Sequence, residues 1–75
     1  MSRFPIIRAD ELLKFLKDNG FVPLRQAGSH LTVYHRERDV AVTVPIHKSR
    51  DLGRGLTLRI LKDAGFTPED FLNWR

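Results

Sequence analysis

The sequence predicts one α+β domain over residues 1–75, with two helices on one face of a three-stranded antiparallel sheet. It has no cysteine, so neither disulfides nor thiolate metal sites can stabilise it, and the core must come from the 41% apolar residues. Three observations support the class: a helical apolar pattern near the start, three alternating segments in the middle, and a second helical pattern after them. These patterns fall at residues 9–19, at 21–26, 30–36 and 40–44, and at 56–64.

The first helix is predicted by an apolar stripe that includes Leu12, Leu13 and Leu16. Acidic residues occupy its first turn, where carboxylates favour the positive end of the helix dipole. Asn19-Gly20 ends the pattern, since glycine suits the left-handed conformation just past a helix.

The three alternating segments predict a meander with one apolar and one polar face. Pro23 makes the first segment an edge strand, because proline cannot donate a ladder hydrogen bond. Ala27-Gly28-Ser29 has the composition of a tight turn. The polar face is predicted to carry basic, hydroxyl and aromatic side chains suited to phosphates and stacked bases: Arg25, His30, Thr32, Tyr34 and Thr43. An ordinary solvated sheet face is the alternative.

After Pro45 the sequence predicts a basic loop over residues 46–54, followed by the second helix. Gly53 and Gly55 flank Arg54 at the helix start, where backbone N–H groups and a cation could bind an anion. A C-terminal helical turn is predicted from a capping pattern, with Thr67 at the N-cap, Pro68 at the first position and Asp70 as the capping acid. Three apolar residues of this turn are expected to pack on the core: Phe71, Leu72 and Trp74. The α-β-β-β-α order resembles a double-stranded-RNA-binding domain.

The charge distribution favours a polyanionic partner. The net charge is +4, and residues 25–62 alone hold eight Lys or Arg against three acids, a net +5. RNA, DNA or an acidic protein would be attracted by this field, although a merely solubilising surface has the same composition. No apolar run reaches the roughly 18 residues of a membrane span, and the N-terminus does not resemble a signal peptide. We therefore expect a soluble cytoplasmic protein without membrane association.

Three histidines are candidates for chemistry, because imidazole exchanges protons near neutral pH. His35 has inward parity, which favours a structural role, and His47 lies among cations in the predicted loop. His30 follows the Gly28-Ser29 turn and points to the polar face. The histidines lack the paired spacing of a zinc site, and Ser29 lacks a nucleophile-elbow motif. We therefore expect no metal, no other cofactor and no serine hydrolysis.

Several segments, in this order and spacing, resemble the HicA toxin family over about residues 9–72. They are Glu11-Leu12-Leu13-Lys14-Phe15-Leu16, Asn19-Gly20-Phe21, Arg25-Gln26-Ala27-Gly28-Ser29-His30, Val44-Pro45-Ile46-His47 and Leu58-Arg59-Ile60-Leu61-Lys62-Asp63-Ala64-Gly65-Phe66. Gly55-Leu56-Thr57-Leu58 departs from the family pattern, which often reads Gly-Thr-Leu and is a residue shorter.

The resemblance implies an mRNA interferase, the RNA-cleaving toxin of a type II toxin–antitoxin pair, with a fold like that of a double-stranded-RNA-binding domain. It also implies that the histidine of the Gly-Ser-His motif, His30, is catalytic, and that a HicB antitoxin binds this surface. From the chemistry of the polar face and the basic loop we expect RNA or phosphate contacts from Arg25, Tyr34, Lys48, Arg50 and Arg54. A non-catalytic RNA-binding module of the same fold and a protein-interaction domain are the alternatives.

Overall fold

The computed structural model describes residues 4–46 and 51–75 and confirms the predicted α-β-β-β-α order within a longer series of elements. That series is β1 (Ile7–Arg8), α1 (Ala9–Asp18), β2 (Phe21–Ala27), β3 (His30–His35), β4 (Val40–Pro45), β5 (Asp51–Leu52), α2 (Arg54–Asp63) and α3 (Pro68–Trp74). None of the described helices has the length and apolar character needed to cross a membrane.

The main sheet has the strand order β2-β3-β4, and both pairings are antiparallel. Burial follows the predicted alternation: in β4, Val42 and Val44 face the core while Ala41 and Thr43 are exposed, and Val33 of β3 also faces the core. The sheet therefore has one face covered by the helices and one face open to solvent.

Helix α1 lies against the covered face through Leu12, Phe15 and Leu16, all almost fully buried. It ends as predicted, because Asn19 forms the cap and Gly20 follows with a positive φ of 95°. The ring of His35 packs so closely on this end that a Cβ at Gly20 would lie 2.8 Å from its Nε2 atom. The predicted structural role of His35 agrees with this contact.

Helices α2 and α3 complete the core. Helix α2 begins at Arg54, two residues before the predicted start, and buries Ile60, Leu61 and the adjoining Ala64 as expected. Thr57 on this helix is completely buried, and its hydroxyl has no hydrogen-bond partner in the described part of the chain. Helix α3 has the predicted capping box, in which the Thr67 hydroxyl accepts from the Asp70 N–H and the Asp70 carboxylate accepts from the Thr67 N–H.

Two expectations about local structure were wrong. Asp51–Leu52 is not part of a loop but a short strand, β5, which pairs antiparallel with Ile7–Arg8 and buries Leu52 against Ile7. Leu72 is 38% exposed and does not fold back on the core, unlike the fully buried Phe71. Phe71 and the indole of Trp74 fill the contact between α3 and Phe15 of α1, so Leu72, on another side of α3, faces solvent.

Candidate active site

The turn before His30 is a two-residue hairpin connection, since Ala27 and His30 are directly paired across it. Gly28 has a positive φ of 58° whereas Ser29 does not, which matches a type II′ turn with glycine in its first central position. The Gln26 side-chain amide donates to the Gly28 carbonyl at 3.1 Å and holds the turn from β2. His30 is thus the first residue of the central strand and lies at one end of the open face.

A second contact fixes the turn to the other neighbouring strand. The Ile46 N–H, just after β4, donates to the Ser29 carbonyl at 2.6 Å, and Pro45 lies opposite His30. The His30 side chain is exposed and makes no side-chain hydrogen bond with the described residues. Its backbone is held on both sides while its imidazole remains accessible to a ligand.

A β-bulge in β2 brings Arg25 onto the same face. The pairing shifts between Pro23 and Arg25, so that Leu24 is an extra residue and Arg25 lies opposite Thr32. Arg25 is consequently a diagonal neighbour of His30, a relation that separates two side chains by about 7–8 Å. No described carboxylate lies within 4.0 Å of its guanidinium, which leaves the cation available to an anion.

The remaining polar groups of this face form two pairs. Thr32 and Thr43 lie opposite each other, and their hydroxyl oxygens are 2.9 Å apart. The Tyr34 hydroxyl donates to the Asp39 carboxylate at 2.9 Å. This hydrogen bond raises the pKa of Tyr34 above its ordinary value, with partial desolvation and the charge of Asp39 acting in the same direction and Arg36 opposing them.

The other predicted site residues have different positions. Arg54 lies at the start of α2, in the helix layer, and its Nε donates to the Phe4 carbonyl at 2.6 Å. Lys48 and Arg50, predicted to bind phosphate, and His47 lie outside the described residues. The structure therefore brings His30, Arg25 and Tyr34 together on one face and does not join Arg54 to them.

Three contacts of this face were not predicted from the sequence. They are the Tyr34–Asp39 bond, the Gln26 amide that holds the turn, and the Ile46–Ser29 bond. Of these contacts, the Tyr34–Asp39 bond has the clearest signal in the sequence. Aspartate tolerates positive φ, and at the end of a hairpin loop this conformation, with φ 53° at Asp39, allows its carboxylate to bond to the preceding strand. Within residues 4–46 and 51–75, no three His, Asp or Glu side chains converge to hold a metal ion.

Comparison with known proteins identifies the family. The family model described as HicA toxin of bacterial toxin-antitoxin matches residues 9–66, well over half of the chain. No curated protein matches the chain significantly. The matched region contains β2, β3 and β4 with the Gly28-Ser29-His30 turn, and membership in this family implies an antitoxin partner. The chain belongs to the HicA toxin family of bacterial toxin–antitoxin systems.

Proposed function

We propose that this toxin is a metal-independent endoribonuclease, an mRNA interferase, that acts in the cytoplasm with His30 as its general base. One observation carries the proposal: an exposed imidazole, without a described hydrogen-bond partner, lies on an open sheet face diagonal to the cation Arg25. RNA is the substrate that makes such a sparse site sufficient, because its own 2′-OH can serve as the nucleophile.

Neutral His30 takes the proton of the 2′-OH as that oxygen attacks the adjacent phosphorus. The P–O bond to the 5′ oxygen of the next nucleotide breaks, and that oxygen leaves as a 5′-OH once it is protonated. The products are a 2′,3′-cyclic phosphate and a 5′-OH end. A positioned general base contributes about 10²–10⁴-fold to such a rate.

Arg25 stabilises the negative charge that develops on the phosphoryl oxygens, and Lys48 and Arg50 are further candidates for this role. The general acid for the leaving oxygen is His47 or water. Tyr34 and Arg54 remain proposed RNA contacts, Tyr34 on the open face and Arg54 at the start of α2. The Gly28-Ser29 turn positions the base and needs no contact with the substrate.

The antitoxin we propose is a HicB protein that covers the open face and His30 with it. The helices occupy the other side of the sheet, so a protein bound over β2–β4 would exclude RNA without disturbing the fold. The net charge of +4 favours an acidic partner surface.

The central experiment compares purified wild type with His30→Ala on a defined single-stranded RNA, without added metal. We expect His30→Ala to slow cleavage by at least about 10²-fold while RNA binding is retained. End-group analysis of the wild-type products should find 2′,3′-cyclic phosphate and 5′-OH. Products with 5′-phosphate, or cleavage abolished by EDTA, would contradict this mechanism.

Charge removal at two matched positions separates a local from a general electrostatic role. Arg25 and Lys17 are both exposed cations without a described carboxylate within 4.0 Å, but Lys17 lies on α1 in the helix layer. Arg25→Ala should reduce the cleavage rate by about 10²-fold, whereas Lys17→Ala should leave it near wild type. Equal effects would reject Arg25 as the charge-stabilising group.

Growth arrest on induced expression separates the toxin from a non-catalytic RNA-binding module. Arrest that disappears in His30→Ala supports the nuclease. No arrest on expression of the wild type favours the binding module.

A further inference from the structure

The open face of the sheet is divided into three rows of different chemistry. Strand pairing aligns one residue from each of β2, β3 and β4 in every row. The rows are Ala27–His30–Pro45, Arg25–Thr32–Thr43 and Val22–Tyr34–Ala41. Adjacent rows are two residues apart along β3, which is about 7 Å.

The middle row is suited to an anion. Between them the hydroxyls of Thr32 and Thr43 have two hydrogens, and their mutual bond at 2.9 Å uses only one. The other can be donated to a phosphate oxygen. Arg25 in the same row adds a cation without a described carboxylate partner.

The third row is suited to a base rather than to a phosphate. Val22 is 54% exposed and Leu24, in the bulge beside it, is 56% exposed, so that apolar surface adjoins the half-buried Tyr34 ring. The bond from the Tyr34 hydroxyl to Asp39 fixes the ring, and the carboxylate beside it repels a phosphate. An aromatic ring with apolar neighbours is the kind of surface on which a nucleobase stacks.

The row spacing matches the repeat of an extended RNA strand. A nucleotide contributes six backbone bonds and an amino-acid residue three, so one extended nucleotide spans about the length of two strand residues, roughly 7 Å. Resting on the proposed function, we propose that single-stranded RNA runs along β3, with the scissile phosphate at His30, a neighbouring phosphate at the Arg25 row, and the base two nucleotides from the cleavage point stacked on Tyr34. Duplex RNA is excluded from this path, since its bases are already stacked and paired.

The test is a scan of abasic nucleotides through an RNA with one mapped cleavage position. In wild type, an abasic nucleotide two steps from the cleaved bond, on one side of it, should raise KM by about 5- to 150-fold, the range expected for loss of one stacked base. Tyr34→Ala should raise KM on intact RNA by a similar factor with little change in kcat, because stacking is equal in the ground and transition states. Tyr34→Ala combined with the abasic nucleotide should raise KM little more than either change alone, because both remove the same stacking contact.

Two further variants control for unfolding and for loss of apolar surface in general. Tyr34→Phe keeps the ring and should recover most of the affinity lost in Tyr34→Ala. Leu72→Ala removes an exposed apolar side chain on α3, away from the open face, and should leave KM unchanged. Far-UV circular dichroism of each variant confirms that the fold is intact.

The outcomes separate the inference from the function on which it rests. A wild type that cleaves no RNA refutes the proposed function. Cleavage with KM equally sensitive to abasic nucleotides at every position, or additive effects of Tyr34→Ala and the abasic substitution, refutes only the RNA path. If Tyr34→Ala leaves KM unchanged but weakens inhibition by the antitoxin, the Val22–Tyr34–Ala41 row is a protein-binding surface and the RNA path is also refuted.

Discussion

Gly28→Ala tests whether the turn before His30 depends on backbone conformation. Gly28 has a φ of 58°, and a Cβ placed there would have no heavy atom within 4 Å apart from its own chain neighbours. Crowding by other residues therefore contributes nothing, and the cost is that of holding an L-residue at positive φ, about 1–2 kcal/mol. In a domain of this size that cost lowers Tm by roughly 4–16 °C. The His30 imidazole should also be displaced, with a loss of cleavage.

Gly55→Ala is the matched control, because it adds the same methyl group at a position that is equally open. Gly55 lies in the first turn of α2 without a positive φ, so alanine should stabilise the protein by about 0.4–1 kcal/mol, because it reduces the conformational entropy of the unfolded chain. Thermal unfolding followed by far-UV circular dichroism measures both variants, provided that the transitions are two-state. The two Tm shifts should have opposite signs. A Gly28→Ala protein as stable as wild type would show that the turn does not require positive φ.

Thr57→Val removes a buried hydroxyl that lacks a described partner, and it should stabilise the protein by about 1–3 kcal/mol, measured as a higher urea midpoint. Thr67→Val, which removes the N-cap of α3, should instead destabilise the protein by about 1 kcal/mol. A urea midpoint that Thr57→Val leaves unchanged would show that the Thr57 hydroxyl is satisfied. Tyr34 is the single tyrosine, so alkaline titration of phenol absorbance should give one midpoint above about 10. In Asp39→Gly, which suits the φ of 53°, this midpoint should fall, and a midpoint that stays raised would reject the bond to Asp39 as the cause. Because the pKa of Tyr34 is raised in the folded state, the stability from this bond is complete below about pH 10 and is lost as the pH rises through the folded-state pKa.

The fold was predictable where local pattern and tertiary packing agree. The alternating valines of β4, the Asn19-Gly20 helix end and the Thr67-Pro68 helix start each determine an element through interactions within a few residues. Strands β1 and β5 were not predictable in the same way, because two residues are too few to show a period and each strand exists only through its pairing with the other. The exposure of Leu72 was not predictable from local pattern either, because it depends on Phe71 and Trp74 occupying the contact with α1.

The candidate site was predicted in its residues more than in its contacts. Alternation placed His30, Thr32 and Tyr34 on one face, and the structure confirms that arrangement. The bond between Tyr34 and Asp39 joins side chains from a strand and a loop, and its formation depends on the positive φ of Asp39, which no periodicity reveals. The roles of His30, Arg25, Tyr34 and Arg54 in RNA cleavage or binding remain predictions.

The bulge in β2 has a consequence for how this family can vary. With strict alternation from the buried Phe21, Arg25 would point toward the helices, and the extra residue at Leu24 is what turns it outward. Replacing Leu24 leaves the bulge intact. Deleting it would remove the bulge and still leave Arg25 opposite Thr32 on the open face, because regular alternation from Phe21 would then place Arg25 outward. Among HicA relatives that use an arginine here, we therefore expect it four residues after the buried aromatic where the bulge is present and three residues after it where the bulge is absent.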